Sequence, residues 1–294
     1  MPTFPTPEPL SVTVDIVFGN IRFVASERAD TVVEVRPVDP SRELDIQAAE
    51  HVTFEFGDGR LVVRHPKRRT VFTTKYGSVD VVVELPSGSD VRGDTAEGEY
   101  VVKGVVGGCR LQNAIGDIRV GQADRVRLKT TAGKVTVDQV RGQAEVSANG
   151  DVRIRRAGGT AVVKNAGGHC WIGAADGDVK VSSAIGDITV DVARAAVDAR
   201  TTNGNIRVGQ VGCGSVELHS VIGTVDVGVP HGTDVRLDAH TSMGRVHNHL
   251  AGQPAPEQAE RTVKVRARSN AGGIVVRRAG HPTATGAEHP TVTP

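Results

Sequence analysis

The side chains able to do chemistry in this chain fall into a few groups, each implying a different reaction or ligand. Carboxylates follow a glycine at regular intervals, at Asp117, Asp151 and Asp187, and paired carboxylates are what sugar-cleaving enzymes use as acid and base. In neighbouring repeats the same position holds Lys134, His169 and Asn205, so charges interleave as solvated cross-strand pairs instead of converging on a site. Gly-Asp also marks calcium-binding β-rolls, but those need GGxGxD in successive turns. The nearest stretch, Asp176-Gly177-Asp178-Val179, is not repeated. His247 and His249, spaced i, i+2 with His240 or His219 in reach, could chelate a metal. With no carboxylate or thiol at matching phase, surface histidines are expected.

Three cysteines, Cys109, Cys170 and Cys213, show no CxxC or CxxH spacing, so reduced, unliganded thiols are expected. Cys170 falls in an inward phase with no base beside it and reads as core. Lys67, Arg68 and Arg69, near Phe72 and Tyr76, form the one tight basic cluster. A solvated loop is expected there, since nucleic-acid readers add a recognised fold or a broad basic surface. No catalytic residue, cofactor or metal is expected.

What positions all these residues is a repeat. A pentapeptide of glycine, polar, aliphatic, variable, aliphatic begins at Gly116, Gly133, Gly150, Gly186, Gly204 and Gly223. Counting Gly168 of GHCWI, successive glycines lie 17, 17, 18, 18, 18 and 19 residues apart. A fixed period of that length means stacked structural units. A second strand follows about nine residues later, as in Arg125–Leu128, Gln143–Val146, Asp178–Val181 and Ser215–Leu218. Alternation within each strand sends Ile118 and Val120, or Val126 and Leu128, inward and leaves Arg119 and Arg127 outside. The chain therefore reads as all-β, a parallel β-solenoid with two-strand rungs of about 18 residues. Two sheets should face each other across a narrow aliphatic core. Each motif glycine follows a short Thr/Ser/Asn turn and reads as a corner where a positive φ or close approach of rungs excludes a Cβ.

Composition agrees. Aromatics are 3% of the chain against 35 glycines, which suits thin aliphatic layers and argues against deep aromatic-lined pockets. The formal net charge is +1, leaving no global footprint for nucleic acid or an anionic membrane. Nowhere do 18 apolar residues run together, so no membrane span is expected, and the first twenty residues lack the pattern of a signal peptide. The expected location is cytoplasmic.

Four parts are expected in one chain. Residues 1–75 carry longer, partly antiparallel strands and a Gly57-Asp58-Gly59 hairpin turn, and would cover the first rung. Within them Pro40–Glu50 is a short helix or a loop. Residues 76–250 form the regular solenoid. Residues 251–278 are a linker followed by closing strands, Thr262–Ala267 and Gly273–Arg277. Residues 279–294 have nothing to bury and are expected to be disordered.

In-register stacking lines up Arg119, Thr136, Arg153, Trp171, Thr189 and Arg207 along one outer face, with the sole tryptophan flanked by Arg153 and Thr189. Exposed Trp and Arg are enriched in binding hot spots, so this column is the candidate partner face. Enzymes on related scaffolds fit less well. Six residues on from Ile118 stand Asp124 and then Thr130, which breaks the register of hexapeptide acyltransferases. Polysaccharide lyases and hydrolases on β-helices have longer, three-sheet rungs with a charged cleft.

The repeated Gly-Asp-Ile-x-Val rungs, the opening Ser11–Pro37 and the closing Ser269–Ala279 together resemble a bacterial β-strand-repeat family of unknown function, often labelled “putative adhesin”. The resemblance runs from about Leu10 to Arg278. It implies a β-solenoid and a non-catalytic role, some relatives being envelope-linked or near stress-response systems, and it brings no catalytic residues. The expected function is a non-enzymatic scaffold presenting flat faces to a protein partner or to itself. The alternatives are a carbohydrate-active or acyltransferase-type enzyme on a β-helix and an envelope-stress-associated or adhesin-like binding module.

Overall fold

The structure is a computed structural model and describes residues 1–65, 77–250 and 261–280. Alternating apolar residues become strands almost throughout. The chain opens with β1 (Thr3–Pro5), β2 (Ser11–Asp15), β3 (Ile21–Ser26) and β4 (Asp30–Pro37). It continues through α1 (Glu43–Glu50), β5 (Thr53–Gly57), β6 (Arg60–Arg64), β7 (Val79–Pro86) and β8 (Asp90–Glu97). Two long strands follow, β9 (Tyr100–Ile115) and β10 (Ile118–Ala132), each serving one sheet with its first half and the other with its second. Next come β11 (Val135–Val140), β12 (Ala144–Ala148), β13 (Val152–Ala157), β14 (Ala161–Gly167), β15 (Cys170–Ala175), β16 (Val179–Ile185), β17 (Ile188–Ala193), β18 (Val197–Asn203) and β19 (Ile206–Val211). The last six are β20 (Gly214–Ile222), β21 (Val225–Val229), β22 (Thr233–Met243), β23 (Val246–Asn248), β24 (Arg261–Ala271) and β25 (Ile274–Arg278).

From β9 to β21 the rungs stack in parallel, in chain order, as the repeat predicts. The motif strands make one sheet, β9-β10-β11-β13-β15-β17-β19-β21. The return strands make the other, β9-β10-β12-β14-β16-β18-β20. Ile118, Val135, Ile154, Ile172, Val190 and Val208 from one sheet and Leu128, Val146, Val163, Val181 and Leu218 from the other are buried between them. Buried Phe23 and Tyr100 depart from the otherwise aliphatic core.

The corners explain the motif. Gly133 has φ +151, and a Cβ there would lie 2.1 Å from the carbonyl oxygen of Gly116 one rung away, so only glycine lets the rungs close up. Three residues before the glycine stands a buried polar side chain that satisfies this turn. Thr130 Oγ1 donates to Gly116 O at 3.3 Å, Ser220 Oγ to Gly204 O at 2.8 Å and Ser269 Oγ to Gly223 O at 2.9 Å.

Chain order and spatial order part company at both ends. The first rung, β2/β3, lies between β6/β7 and β8/β9. The last, β24/β25, lies between β20/β21 and β22/β23. The strands expected to close the far end therefore sit one rung inside it, and β22/β23 is outermost. At the opposite end the stack finishes antiparallel, β4 on β7 with β1 beyond it, and β5 on β6 across the expected Gly57-Asp58-Gly59 turn. Pro40–Glu50 resolves into α1, which packs on β4 and β7. The expected basic loop around Lys67, Arg68 and Arg69, the linker at 251–260 and the tail from 281 lie outside the described residues.

Candidate functional site

The column read from the repeat exists in register. Arg119 pairs with Thr136, Thr136 with Arg153, Arg153 with Trp171, Trp171 with Thr189 and Thr189 with Arg207. The side chains do not all stand free. Arg119 is held by Asp117 at 3.1 Å and Glu99 at 3.5 Å, and Arg207 lies 3.8 Å from Asp226.

Trp171 is half-buried and not fully exposed. Its indole lies along its own strand over Gly173, where a Cβ would come within 2.9 Å of the ring. Arg153 from the preceding rung covers the ring, its guanidinium carbon 4.4 Å from the centroid. Asp191 from the following rung accepts a hydrogen bond from Nε1 at 3.0 Å. Three rungs thus fix one amphipathic ring in one orientation, with a cation stacked on it and a carboxylate at its edge. Asp191 is absent from the sequence expectation. Its signal is its place 20 residues after Trp171, one period plus two, which makes it a diagonal neighbour on the same face.

A second feature lies on the return sheet. Arg92, Arg110 and Arg127 face outward from three consecutive strands and pair directly, Arg92 with Arg110 and Arg110 with Arg127. Arg125 stands beside them, lining with Asp90 and Gln143 a shallow groove of about 280 Å³. The arginine run ends where Arg127 meets Glu145 at 3.3 Å. Like charges directly opposite one another are unfavourable. The pattern was readable as arginines 18 and 17 residues apart, once β8 and the second half of β9 are placed in phase.

The other reactive side chains have structural work. Asp117 Oδ1 accepts from Lys134 N at 2.9 Å, Asp151 Oδ1 from His169 N at 3.0 Å and Asp187 Oδ1 from Asn205 N at 2.7 Å. The carboxylate after each glycine therefore caps the next rung's backbone. Asp176 pairs with Arg194 and with Arg156, and the hydrogen bond from Arg194 holds its carboxyl below the usual carboxylate range. Asp178 accepts from Ala196 N at 3.1 Å. Burial pushes the Cys170 thiol up to about 11, against a hydrogen bond from Asn165, and raises Cys109 further. Neither is a thiolate nucleophile at neutral pH.

Arg268 stands in register between His219 and His240, while the rings of His247 and His249 stack 6.3 Å apart. Among the described residues no three His, Cys, Asp or Glu side chains converge as a metal site would require. No helix in them is long and apolar enough to cross a membrane.

Comparison with known proteins adds a family. The model of the family described as Toastrack DUF4097 matches residues 19–277. No curated protein matches the chain. Among solved structures, a “putative adhesin” from Bacteroides fragilis NCTC 9343 is 13% identical, covering 94% of this chain and 95% of that one at TM-score 0.36. A “putative adhesin” from Parabacteroides merdae ATCC 43184 is 12% identical, covering 94% of each chain at TM-score 0.30. A “putative lipid binding protein” from Parabacteroides distasonis ATCC 8503 is 12% identical, covering 95% of this chain and 96% of that one at TM-score 0.32. At such scores these likenesses carry no argument about partner or activity.

Proposed function

The chain belongs to the Toastrack DUF4097 family, and from that premise we propose that it is a non-enzymatic binding module, a rigid scaffold whose partner is a protein docking on the motif sheet. One observation carries this reading, the Arg153–Trp171–Asp191 arrangement, in which a large amphipathic ring is held in one orientation before any partner arrives. A fixed aromatic with an arginine beside it gives contact area at little cost in side-chain entropy. The partner face runs along Arg119, Thr136, Arg153, Trp171, Thr189 and Arg207. A catalytic alternative needs an acid and a base converging in a cleft, whereas the carboxylates of the repeat are engaged in backbone caps and ion pairs.

The test is affinity purification from the native host with wild-type, Trp171→Ala and Arg153→Glu baits. Loss of the same captured protein with both variants, each keeping a wild-type melting curve, supports the reading. Retention of every captured protein with Trp171→Ala overturns it.

A second reading is favoured by the Arg92–Arg110–Arg127 run, whose mutual repulsion an anion would relieve. It assigns the return sheet to an acidic protein segment. Binding should then weaken with added salt and be lost in Arg110→Glu, and salt-independent capture would remove it. Location in the cytoplasm remains part of the proposal. It is supported by three free cysteines, one of them, Cys213, exposed, since such thiols persist where the compartment is reducing. Fractionation that recovers the protein outside the cytoplasm would refute it.

A further inference from the structure

Among the described residues the outermost rung at the β22/β23 end is left uncovered. In the two strands stacked beneath β22 the inward residues Val216, Leu218, Val263, Val265 and Ala267 are fully buried. Their counterparts Val235, Leu237 and Ala239 on β22 are only half-buried, and Met243 and Val246 are exposed at 69% and 42%. β22 is eleven residues long, pairs on one side with β24, and pairs with no strand of the described residues on its other side. A long, regular, proline-free edge is one that natural sheets cover or pair.

Asp238 pairs within the chain with Arg266 at 3.3 Å and Arg268 at 2.7 Å, but Arg236 on the same edge is left without a counter-charge among the described residues. Arg236 sits in register beside Lys264, and His240 beside Arg268. We infer that the occupant is a second copy of this chain, added antiparallel along β22 about a twofold axis through Leu237. That register places Arg236 opposite Asp238, Asp234 opposite His240, Val235 opposite Ala239 and Leu237 opposite itself. Every outward pair is then opposite in charge or can become so, and every inward pair down to Thr233 opposite Thr241 matches in size or polarity. Moving the axis by one residue puts Arg236 opposite Arg236 or Asp238 opposite Asp238, each an unfavourable like-charge pair. Shifting one strand alone by a single residue sends the apolar side chains to the wrong face. An isologous twofold of this kind closes and leaves no further edge for growth.

This surface is remote in the stack from Trp171, and the inference does not depend on the partner reading above. The experiment is sedimentation velocity with multi-angle light scattering on the full chain across a concentration series. The wild type should reach a mass twice 30.9 kDa. Arg236→Glu and Asp238→Arg should each raise the dissociation constant at least tenfold, and an equimolar mixture of the two should restore the dimer, since only the mixed pair has opposite charges at both positions. Leu237→Lys should be monomeric while keeping a wild-type circular dichroism spectrum. A wild type that stays monomeric at all concentrations overturns the inference, as does a dimer undisturbed by Leu237→Lys. A dimer that forms only when residues 281–294 are removed also overturns it, identifying the chain's own tail as the occupant.

Discussion

The two ends of the stack solve the same problem in opposite ways. Both expose the last rung of a parallel solenoid, whose core would otherwise open to water. Beyond β6 and β7 the chain reverses strand direction. It finishes in the three-residue β1, which contains Pro5, and in the hairpin strand β5, with the rings of Phe4 and Phe56 4.9 Å apart. Short strands and proline are the usual means of blunting an edge. The helix α1 adds a cover whose buried Asp45 accepts from Ser78 N at 3.0 Å and Asp39 N at 3.2 Å. Val33, Leu61 and Val63 are consequently fully buried, while Leu237 in the outermost rung at the other end is not. The difference teaches that the described residues close one end of the stack with strands and a helix of their own and leave the other end open.

That contrast can be broken most directly by putting a charge under each end. Val63→Asp buries an unpaired carboxylate beneath β5 and should cost about 3–5 kcal/mol, lowering Tm steeply. Leu237→Asp, measured below the concentration at which copies associate, should cost less than about 1.5 kcal/mol, because the side chain reaches water. Equal losses in Tm would mean that the β22 end is covered after all.

Asp45→Ala removes the acceptor of two backbone N–H groups and should cost about 1–3 kcal/mol. Amide exchange should then quicken in β4, β6 and β7 while β20 and β24 keep their protection. Exchange rising equally at both ends would show that the caps act through the whole stack. Ser269→Ala, which strips one corner hydroxyl from the penultimate rung, should cost about 1 kcal/mol and deprotect β22 and β24 ahead of β12. A uniform loss of protection would refute a locally stabilised corner.

The smallest effect concerns pH. Hydrogen bonding to Arg268, with help from Arg266, holds the Asp238 carboxyl below the usual carboxylate range. Its folded pKa lies below its unfolded one, so its contribution is present above the ordinary carboxylate pKa and fades as pH falls through the depressed value. Asp30 beside Arg28 does the same near the other end. Acid should therefore lower Tm slightly, and Asp238→Asn should flatten part of that slope without changing Tm by much at low pH.

The body of the fold was readable because a glycine at each corner marks the phase of every strand, and from that phase the Arg119–Arg207 column follows. Stacking order at the ends was not. Alternation in β2, β22 or β24 says which residues face inward and nothing about which strand lies alongside, so rungs inserted out of chain order leave no local mark. At the candidate site, Trp171 and Arg153 were visible as column neighbours, but a column counts straight across strands and Asp191 lies on the diagonal. The carboxylates after the glycines looked like surface charge because their acceptor role depends on a backbone N–H one rung away, which only the closeness of the corners brings into reach.

The inserted rung at the β22 end has a consequence for synthesis. A ribosome delivers β22 and β23 before β24 and β25, yet within the described residues the only strand beside β22 is β24 and the only one beside β23 is β25. Until β24 has emerged, β22 has either no neighbour or a rival seat directly on β20, the place β24 will need. This end therefore reaches its native order only after β24 and β25 have emerged. A message cut short before β24 would lose one rung outright and the native seat of another, β22/β23.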